Sequence, residues 1–378
     1  MTIGIDKIGY YVPEYYLDMA ELAKKRGVDV EKYKIGIGQE HMALIPPHED
    51  IVTMAMEAAY DIVQGEEERI DLILFASESG VDFSKSAGNY VHKMLGIQPR
   101  TRVLEVKQAC YACSGALQLA SDYVRAHPEK KALVLSSDVA WYGFESAGEV
   151  TQGAGAIALL VSASPRLAVV HPGEVVVDDL PDFYRPSYSE VPVVDGKLSI
   201  RCYQDMLKKV APETPYLYTC FHMPFANMAN KANAVLPHPM SQEKVDLTKA
   251  FGRYIGNIYN GSLYLSLLSV LTHAKEPLAN QTIGMFSYGS GAIGEYFTVT
   301  LTPTYDRWIA RDAWLEHLNQ RTAVSFEDYE TLMKAFSEKE HMSDYQPPKT
   351  WTTKRNRFVL DKIQQGHRYY KKTADSNA

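Results

Sequence analysis

The chain has 378 residues, enough for one large domain or two of ordinary size, and its 46% hydrophobic and 22% charged content suits a globular protein with a sizeable core. A net charge of −7 leaves no excess of cations to release counterions from phosphates, which excludes a general nucleic-acid binder. The opening MTIGIDKIGYYVP lacks the basic-then-apolar order of a signal peptide, and no run of about 18 uninterrupted apolar residues suits a membrane helix.

Short apolar runs alternate with amphipathic segments, the pattern of an α/β protein. Asp50–Val63 places Ile51, Met54, Ala55, Ala58, Ala59 and Ile62 on one helical face, and Asp71–Ala76 (DLILFA) reads as a buried strand. Lys85–Leu95 suits a helix, Arg102–Val106 a strand and Ser114–Ala126 a helix, followed by strands at Lys131–Ser136 and Ala154–Val161. The segment from Pro172 to Val210 is rich in Pro, Asp, Tyr and Ser and reads as an insertion or loop between two halves, 1–165 and 166–378. Beyond it, Tyr216–Phe221 reads as a strand, Phe225–Ala234 and Gly256–His273 as helices, and Thr282–Ser287 and Glu295–Leu301 as strands. From Lys349 to Lys372 the chain is basic, which suits a solvated tail.

Three residues pair a reactive side chain with a strand end or helix start. Glu78 follows the DLILFA strand, where partial desolvation would raise its pKa towards proton transfer. Cys110, in EVKQACYACSGALQLA, precedes a small-residue helix start, where backbone N–H groups and the helix dipole favour a thiolate. His222, in YTCFHMPF, can act as acid or base near neutral pH, and Lys231 on the next helix could reach a phosphate. Each also has an ordinary reading: a loop carboxylate, a buried thiol, a core histidine, an exposed lysine. Cys110 and Cys113 form a C-x-x-C, but a zinc knuckle needs a second close pair and Cys202 and Cys220 do not supply one. A thioredoxin-like dithiol is disfavoured by its position, and four cysteines are too few for a disulfide scaffold, so a cytoplasmic location is the expectation. The glycine loops Thr151–Gly155 and Tyr288–Gly291 permit close approach to a ligand and could form an oxyanion site, yet match neither a P-loop nor a dinucleotide fingerprint. Together, Cys, His and Glu at strand ends with two glycine loops fit acyl transfer through a covalent thioester.

The strings GIGQE (36–40), ASESGVDFSKS, EVKQACYA, SAGEVTQGAGA, DFYRP (182–186), VDGKLSIRCY, CFHMPF, GNIYNGSLYLSLLS and FSYGSGA occur in an order, over nearly the whole chain, that resembles the 3-hydroxy-3-methylglutaryl-CoA synthases, including the polyketide β-branching synthases. The resemblance implies a thiolase-like fold, two pseudo-duplicated βα halves in an αβαβα arrangement, as a homodimer. It implies that Cys110 takes acetyl from acetyl-CoA, that Glu78 removes a methyl proton from the acetyl-cysteine, and that His222 polarises the acetoacetyl-CoA carbonyl. By the same matching Tyr142, Thr151, Asn257 and Ser290 orient the acyl groups, Asp138 and Asp182 are supporting carboxylates, Lys231 meets a CoA phosphate, and the N–H groups of Cys110 and Ser290 form oxyanion contacts. No metal or cofactor beyond the CoA thioesters is implied. Two stretches, Tyr203 to Cys220 and Ala234 to Tyr254, are shorter than the family pattern. The branch acting on acyl carrier protein is the alternative, with neighbouring mevalonate or polyketide genes as discriminators. A non-catalytic carrier-binding module and a thiolase or decarboxylating synthase fit the Cys–His–Glu set less well.

Overall fold

A computed structural model describes residues 2–351, 353 and 355–373; Thr352 and Lys354 of the basic stretch, and 374–378 at the end of the second half, lie outside them. The strands are β1 (Gly4–Tyr11), β2 (Tyr15–Asp18), β3 (His41–Leu44), β4 (Ile70–Ala76), β5 (Arg102–Val106), β6 (Lys131–Ala140), β7 (Gly153–Ser162) and β8 (Ala168–Val177). They continue with β9 (Phe183–Tyr184), β10 (Val193–Val194), β11 (Thr219–Phe221), β12 (Thr282–Gly289), β13 (Ile293–Leu301), β14 (Thr322–Ala323), β15 (Phe358–Gln364) and β16 (His367–Lys372). The helices are α1 (Met19–Arg26), α2 (Ile51–Val63), α3 (Gly88–Met94), α4 (Ala112–Ala126), α5 (Gly196–Val210), α6 (Met228–Asn233), α7 (Gln242–Thr248), α8 (Gly252–Ile255), α9 (Ser262–His273), α10 (Arg311–Asn319) and α11 (Phe326–Lys339).

A nine-stranded mixed sheet runs β11-β12-β13-β8-β1-β7-β6-β4-β5. Its two parts share one topology. In each, the first strand (β1, β8) lies beside the last (β7, β13), then the penultimate (β6, β12), then the second (β4, β11), with β5 added at one edge. Only the pairs Gly4–Val169 and Ile5–Ala168 join β1 to β8, so the sheet can turn at that seam. Both parts direct apolar residues onto one central cluster, where Ala116, Leu117 and Ala120 of α4 meet Leu263, Leu267 and Leu271 of α9. α2 and α3 cover the other face of the first part, and α5 and α6 that of the second. The result is the expected αβαβα layering. The central helices are apolar because they are covered on both sides.

One expectation is refined and one fails. The segment 172–210 is not loop throughout. It holds the end of β8, the β9–β10 hairpin and all of α5, which Asp195 caps by accepting from Lys197 N and Leu198 N at 3.1 and 2.9 Å. Cys202, Tyr203, Met206, Leu207 and Val210 form its buried stripe, a helical period obscured by the polar residues between them. The basic end is not a solvated tail either. Phe358 and Leu360 of the β15–β16 hairpin are buried, and Arg368 reaches Asp50 Oδ2 at 2.9 Å. Asp50 is also the N-cap of α2, so the C-terminal hairpin is bolted to the first half through a cap residue. Among the described residues, no helix is long and apolar enough to cross a membrane.

The contact of the C-terminal segment with the first half buries two further carboxyls. Tyr11 Oη lies 3.0 Å from Glu49 Oε2, and Asn356 Nδ2 donates to Glu49 Oε1 at 2.6 Å. Phe358 N donates to Glu57 Oε1 at 2.8 Å. Burial pushes Glu49 up to about 8 and Glu57 to about 7, against a starting value of 4.5. A carboxyl raised on folding holds more protons in the folded state, so its stabilisation is full below about 4.5 and is lost as pH rises through the folded pKa. His41, His48 and His317, lowered to about 4 by burial, act in the opposite sense but below their ordinary 6.5. Stability is therefore expected to fall between roughly pH 6.5 and 8.5. Melting temperatures across that range check this, and Glu49→Gln, which removes one titrating group while keeping shape, should flatten the slope.

Candidate active site

The chain turns sharply before α4. Ala109 has φ 43°, an unusual value for a residue with a Cβ, and it presents Cys110 between β5 and the helix start. Gly289 lies against this turn: a Cβ there would meet Tyr111 Cβ at 2.6 Å and Gln108 O at 2.7 Å. The Tyr288–Gly291 loop thus uses its glycine to touch the cysteine turn. Thr151–Gly155 behaves similarly. Gly256, at φ 89°, leaves room for only 2.0 Å between a Cβ and Gln152 O, and Asn257 N donates to Thr151 O at 2.9 Å. In both places a glycine permits close approach of neighbouring backbone.

Cys110 Sγ donates to Glu78 Oε1 at 2.9 Å. Glu78 as a residue is partly exposed, but its carboxyl is enclosed deeply enough that burial, reinforced by Asp138, pushes it up to about 8. Cys110 is also raised, well above the ordinary thiol range, first by burial and then by Glu78, Asp138 and Asp182. Burial, and after it these carboxyl groups, thus favour the thiol, against the helix-stabilised thiolate expected from the sequence. Glu78 is placed to take its proton.

Asp138, fully buried at the end of β6, organises the Glu78 loop. Its Oδ1 accepts from Glu78 N at 2.7 Å, Ser77 Oγ at 2.9 Å, and Ser79 N and Oγ at 3.2 and 3.1 Å. Its Oδ2 accepts from Asn260 Nδ2 at 3.1 Å, and Asn260 Oδ1 accepts from Cys113 N at 3.1 Å. One carboxylate thus fixes the Glu78 loop, the start of α9 and the first turn of α4. Asn260 was missed in the sequence, where nothing local marks it. Cys113 is buried in the central cluster as a packing residue. Replacing Asp138 with Ala should cost about 3 kcal/mol or more in urea unfolding, because several buried donors lose their acceptor together, and should abolish turnover in the material that still folds.

Tyr142 and Asn257 form a second unit. Asn257 Nδ2 donates to Tyr142 Oη at 3.0 Å, while its Oδ1 accepts from Tyr259 N and Ser262 Oγ, both at 2.9 Å. Tyr142, Tyr259 and Phe183 pack with Cys110 as an aromatic wall. Asp182, fully buried, accepts from Tyr288 Oη at 2.7 Å and Gly291 N at 2.9 Å, pinning the loop that carries Ser290. Thr151 turns its hydroxyl to Gly148 O at 2.8 Å.

His222 follows β11, its N–H donating to Phe286 O at 2.9 Å and its carbonyl accepting from Tyr203 Oη at 2.8 Å. Burial lowers the imidazole to about 3, so it is neutral near pH 7. Its Nδ1 is buried with no hydrogen-bond partner among the described residues, an orphaned group of the kind expected to await a ligand. Lys231 stands apart. It is exposed and lines a polar cleft of about 510 Å³ with Lys34, Asn227, Lys249 and Arg253, a lining that includes none of Glu78, Cys110 or His222.

Two βα halves of one topology packed on central helices define the thiolase-like class. Family models of the hydroxymethylglutaryl-coenzyme A synthase N-terminal and C-terminal regions match residues 1–165 and 227–373. A hydroxymethylglutaryl-CoA synthase of Enterococcus faecalis is 42% identical over 352 residues, covering 88% of this chain and 91% of that protein. The polyketide 3-hydroxy-3-methylglutaryl-ACP synthase PksG of Bacillus subtilis is 29% identical over 419 residues, covering 98% and 99%. A crystal structure of an HMG-CoA synthase complexed with CoA superposes with a TM-score of 0.90 at 37% identity, covering 99% of this chain and all of that one. The curacin-pathway HMG synthase in complex with acetyl donor-ACP gives 0.91 at 26%, with the same coverage. The chain belongs to the hydroxymethylglutaryl-coenzyme A synthase family.

Proposed function

We propose that this protein is a carbon–carbon bond-forming acyltransferase that condenses acetyl-CoA with acetoacetyl-CoA and water to give 3-hydroxy-3-methylglutaryl-CoA and CoA, as in the mevalonate pathway. The observation that carries the reading is the Cys110 thiol donating to Glu78 at 2.9 Å in a carboxylate-rich pocket. Glu78 takes the thiol proton as sulfur attacks the thioester, and CoA leaves as its thiol. Cys110 then holds acetyl. A Glu78 carboxylate next removes a methyl proton; the resulting enolate carbon bonds to C3 of acetoacetyl-CoA, whose carbonyl oxygen gains a proton. Water finally cleaves the Cys110 thioester. A neutral His222 donates a hydrogen bond to the acceptor carbonyl without placing a cation beside the enolate. Tyr142, Thr151, Asn257 and Ser290 orient the acyl groups, with Asp138 and Asp182 holding the loops, and no metal or further cofactor is needed.

Exposed Lys231, in a cleft whose Lys34, Lys249 and Arg253 pair with Asp18, Glu40 and Asp246, supports delivery on CoA, whose nucleotide carries phosphates. The higher identity to the CoA-using relative points the same way. Purified protein is expected to turn over acetoacetyl-CoA. Turnover only of an acetoacetyl group on a carrier protein would assign the chain to the polyketide branch instead, and no turnover of either would leave a non-catalytic module. The four cysteines are free, which supports a reducing, cytoplasmic setting.

A homodimer is supported by the edge strand β5. Its outer edge faces no strand among the described residues, and Leu104 on it and Leu119 on the adjoining α4 are each 57% exposed. Pairing with a second copy covers both the unpaired edge and this apolar rim. Leu104→Asp should convert the dimer to a monomer in sedimentation; a monomeric wild type would remove the proposal.

A further inference from the structure

The short segment Asp182–Arg185 touches the site at three points. Asp182 holds the Tyr288–Gly291 loop, Phe183 joins the aromatic wall beside Cys110, and the Arg185 guanidinium donates through Nη2 to the main-chain oxygen of Glu78. Arg185 is exposed, so the contact is made at the mouth of the pocket, across from a different part of the chain. Glu78 is held from below by its own N–H on Asp138 and from above by its own carbonyl under Arg185. We propose that Arg185 is a positioning residue of the condensation, fastening the Glu78 loop to the β9–β10 hairpin so that the carboxyl stays aligned on the acyl group carried by Cys110. The proposal rests on the reading of Glu78 as the base and goes further, assigning that alignment to a side chain outside the Cys–Glu–His set.

The charges around Glu78 fit this role. Burial and then Asp138 from β6 disfavour its ionised form, while the hydrogen bond from Cys110 and the Arg185 guanidinium favour it, and Arg185 is the cation acting on it among the described residues. Guanidinium is suited to the task because it keeps its charge while donating from a fixed fork. Loss of the charge should raise the Glu78 pKa further and misalign the loop together.

The test compares Arg185→Gln, Arg185→Lys and wild type in two assays: acetylation of Cys110 by intact-protein mass spectrometry with acetyl-CoA, and steady-state condensation with acetoacetyl-CoA from pH 6 to 9.5. Arg185→Gln is expected to fold and accept one acetyl group, to lose about 10- to 100-fold in condensation kcat, and to move the acid limb of its profile to higher pH. Arg185→Lys, which keeps the charge but not the fork, should restore the limb and part of the rate. Wild-type rate and an unmoved limb in Arg185→Gln overturn the proposal while leaving the function intact. A loss of rate with the limb in place reduces Arg185 to a structural contact. A wild type that takes up no acetyl group overturns the catalytic reading itself.

Discussion

Cys110→Ser is expected to leave the protein unmodified by acetyl-CoA, where the wild type gains one acetyl group, and to lower turnover on the order of 10⁴-fold or more. The hydroxyl keeps the shape and the hydrogen bond to Glu78 but not the chemistry. In this pocket even the thiol is held well above its ordinary pKa by burial and by Glu78, Asp138 and Asp182, so an alcohol has no route to a useful anion. The acyl exchange also loses its balance, because thiol-to-thiol transfer is nearly thermoneutral while an ester bond is a sink that hydrolyses slowly. The folded state should be little affected. Cys110 packs on Ala140 and Tyr259 in a small cluster, and Ser fills nearly the same volume. A wild type that stays unmodified under the same conditions would remove Cys110 as the nucleophile.

Much of this arrangement is legible in the sequence because it is built from local pattern. The runs DLILFA and AGAIALLV are continuous apolar strands because both faces of those sheet parts are covered. β1, a central strand, is easily passed over because GIDKIGYY is broken by Asp6 and Lys7. The break is resolved only in three dimensions, where Asp6 meets Lys131 at 2.7 Å and Arg166 at 2.6 Å. The β15–β16 hairpin hides for the same reason: its arginine and lysines read as solvent-facing until Asp50 and Glu340 are found beside Arg368. In the site, Glu78, Cys110 and His222 announce themselves as reactive groups at element ends. Asn260 does not, since an asparagine at a helix start is ordinary and its partners Asp138 and Cys113 N both lie more than a hundred residues earlier in the chain. The thiol pKa was misjudged for an equally physical reason. The helix start is visible in sequence, but the burial of Cys110, and the three carboxyl groups that converge on it from β4, β6 and the β8–β9 connection, are not.

Glu78→Ala should separate the two halves of the reaction: the variant still takes up acetyl on Cys110 but fails to form the carbon–carbon bond, with condensation reduced about 10²- to 10⁴-fold. Two opposing effects act on acetylation. The substitution removes the acceptor of the thiol proton at 2.9 Å, which slows sulfur attack, and it also removes the nearest of the charges that hold the thiol pKa up. The second effect offsets the first, so acetylation is slowed rather than abolished. Condensation has no such compensation. The methyl proton of an acetyl thioester is far less acidic than a thiol, and no other ionisable acceptor reaches Cys110 by a hydrogen bond among the described residues. Asp138 cannot substitute, because both of its oxygens are committed to Ser77, Glu78 N, Ser79 and Asn260. Glu78→Gln sharpens the comparison: it keeps the loop contacts through the main chain and removes only the proton acceptor. Mass spectrometry of the acetylated intermediate beside a coupled assay for released CoA reads both steps in one preparation. Acetylation and condensation lost in equal proportion in Glu78→Gln would mean that the carboxylate serves the thiol alone, and the base for the methyl proton would then have to be sought at His222.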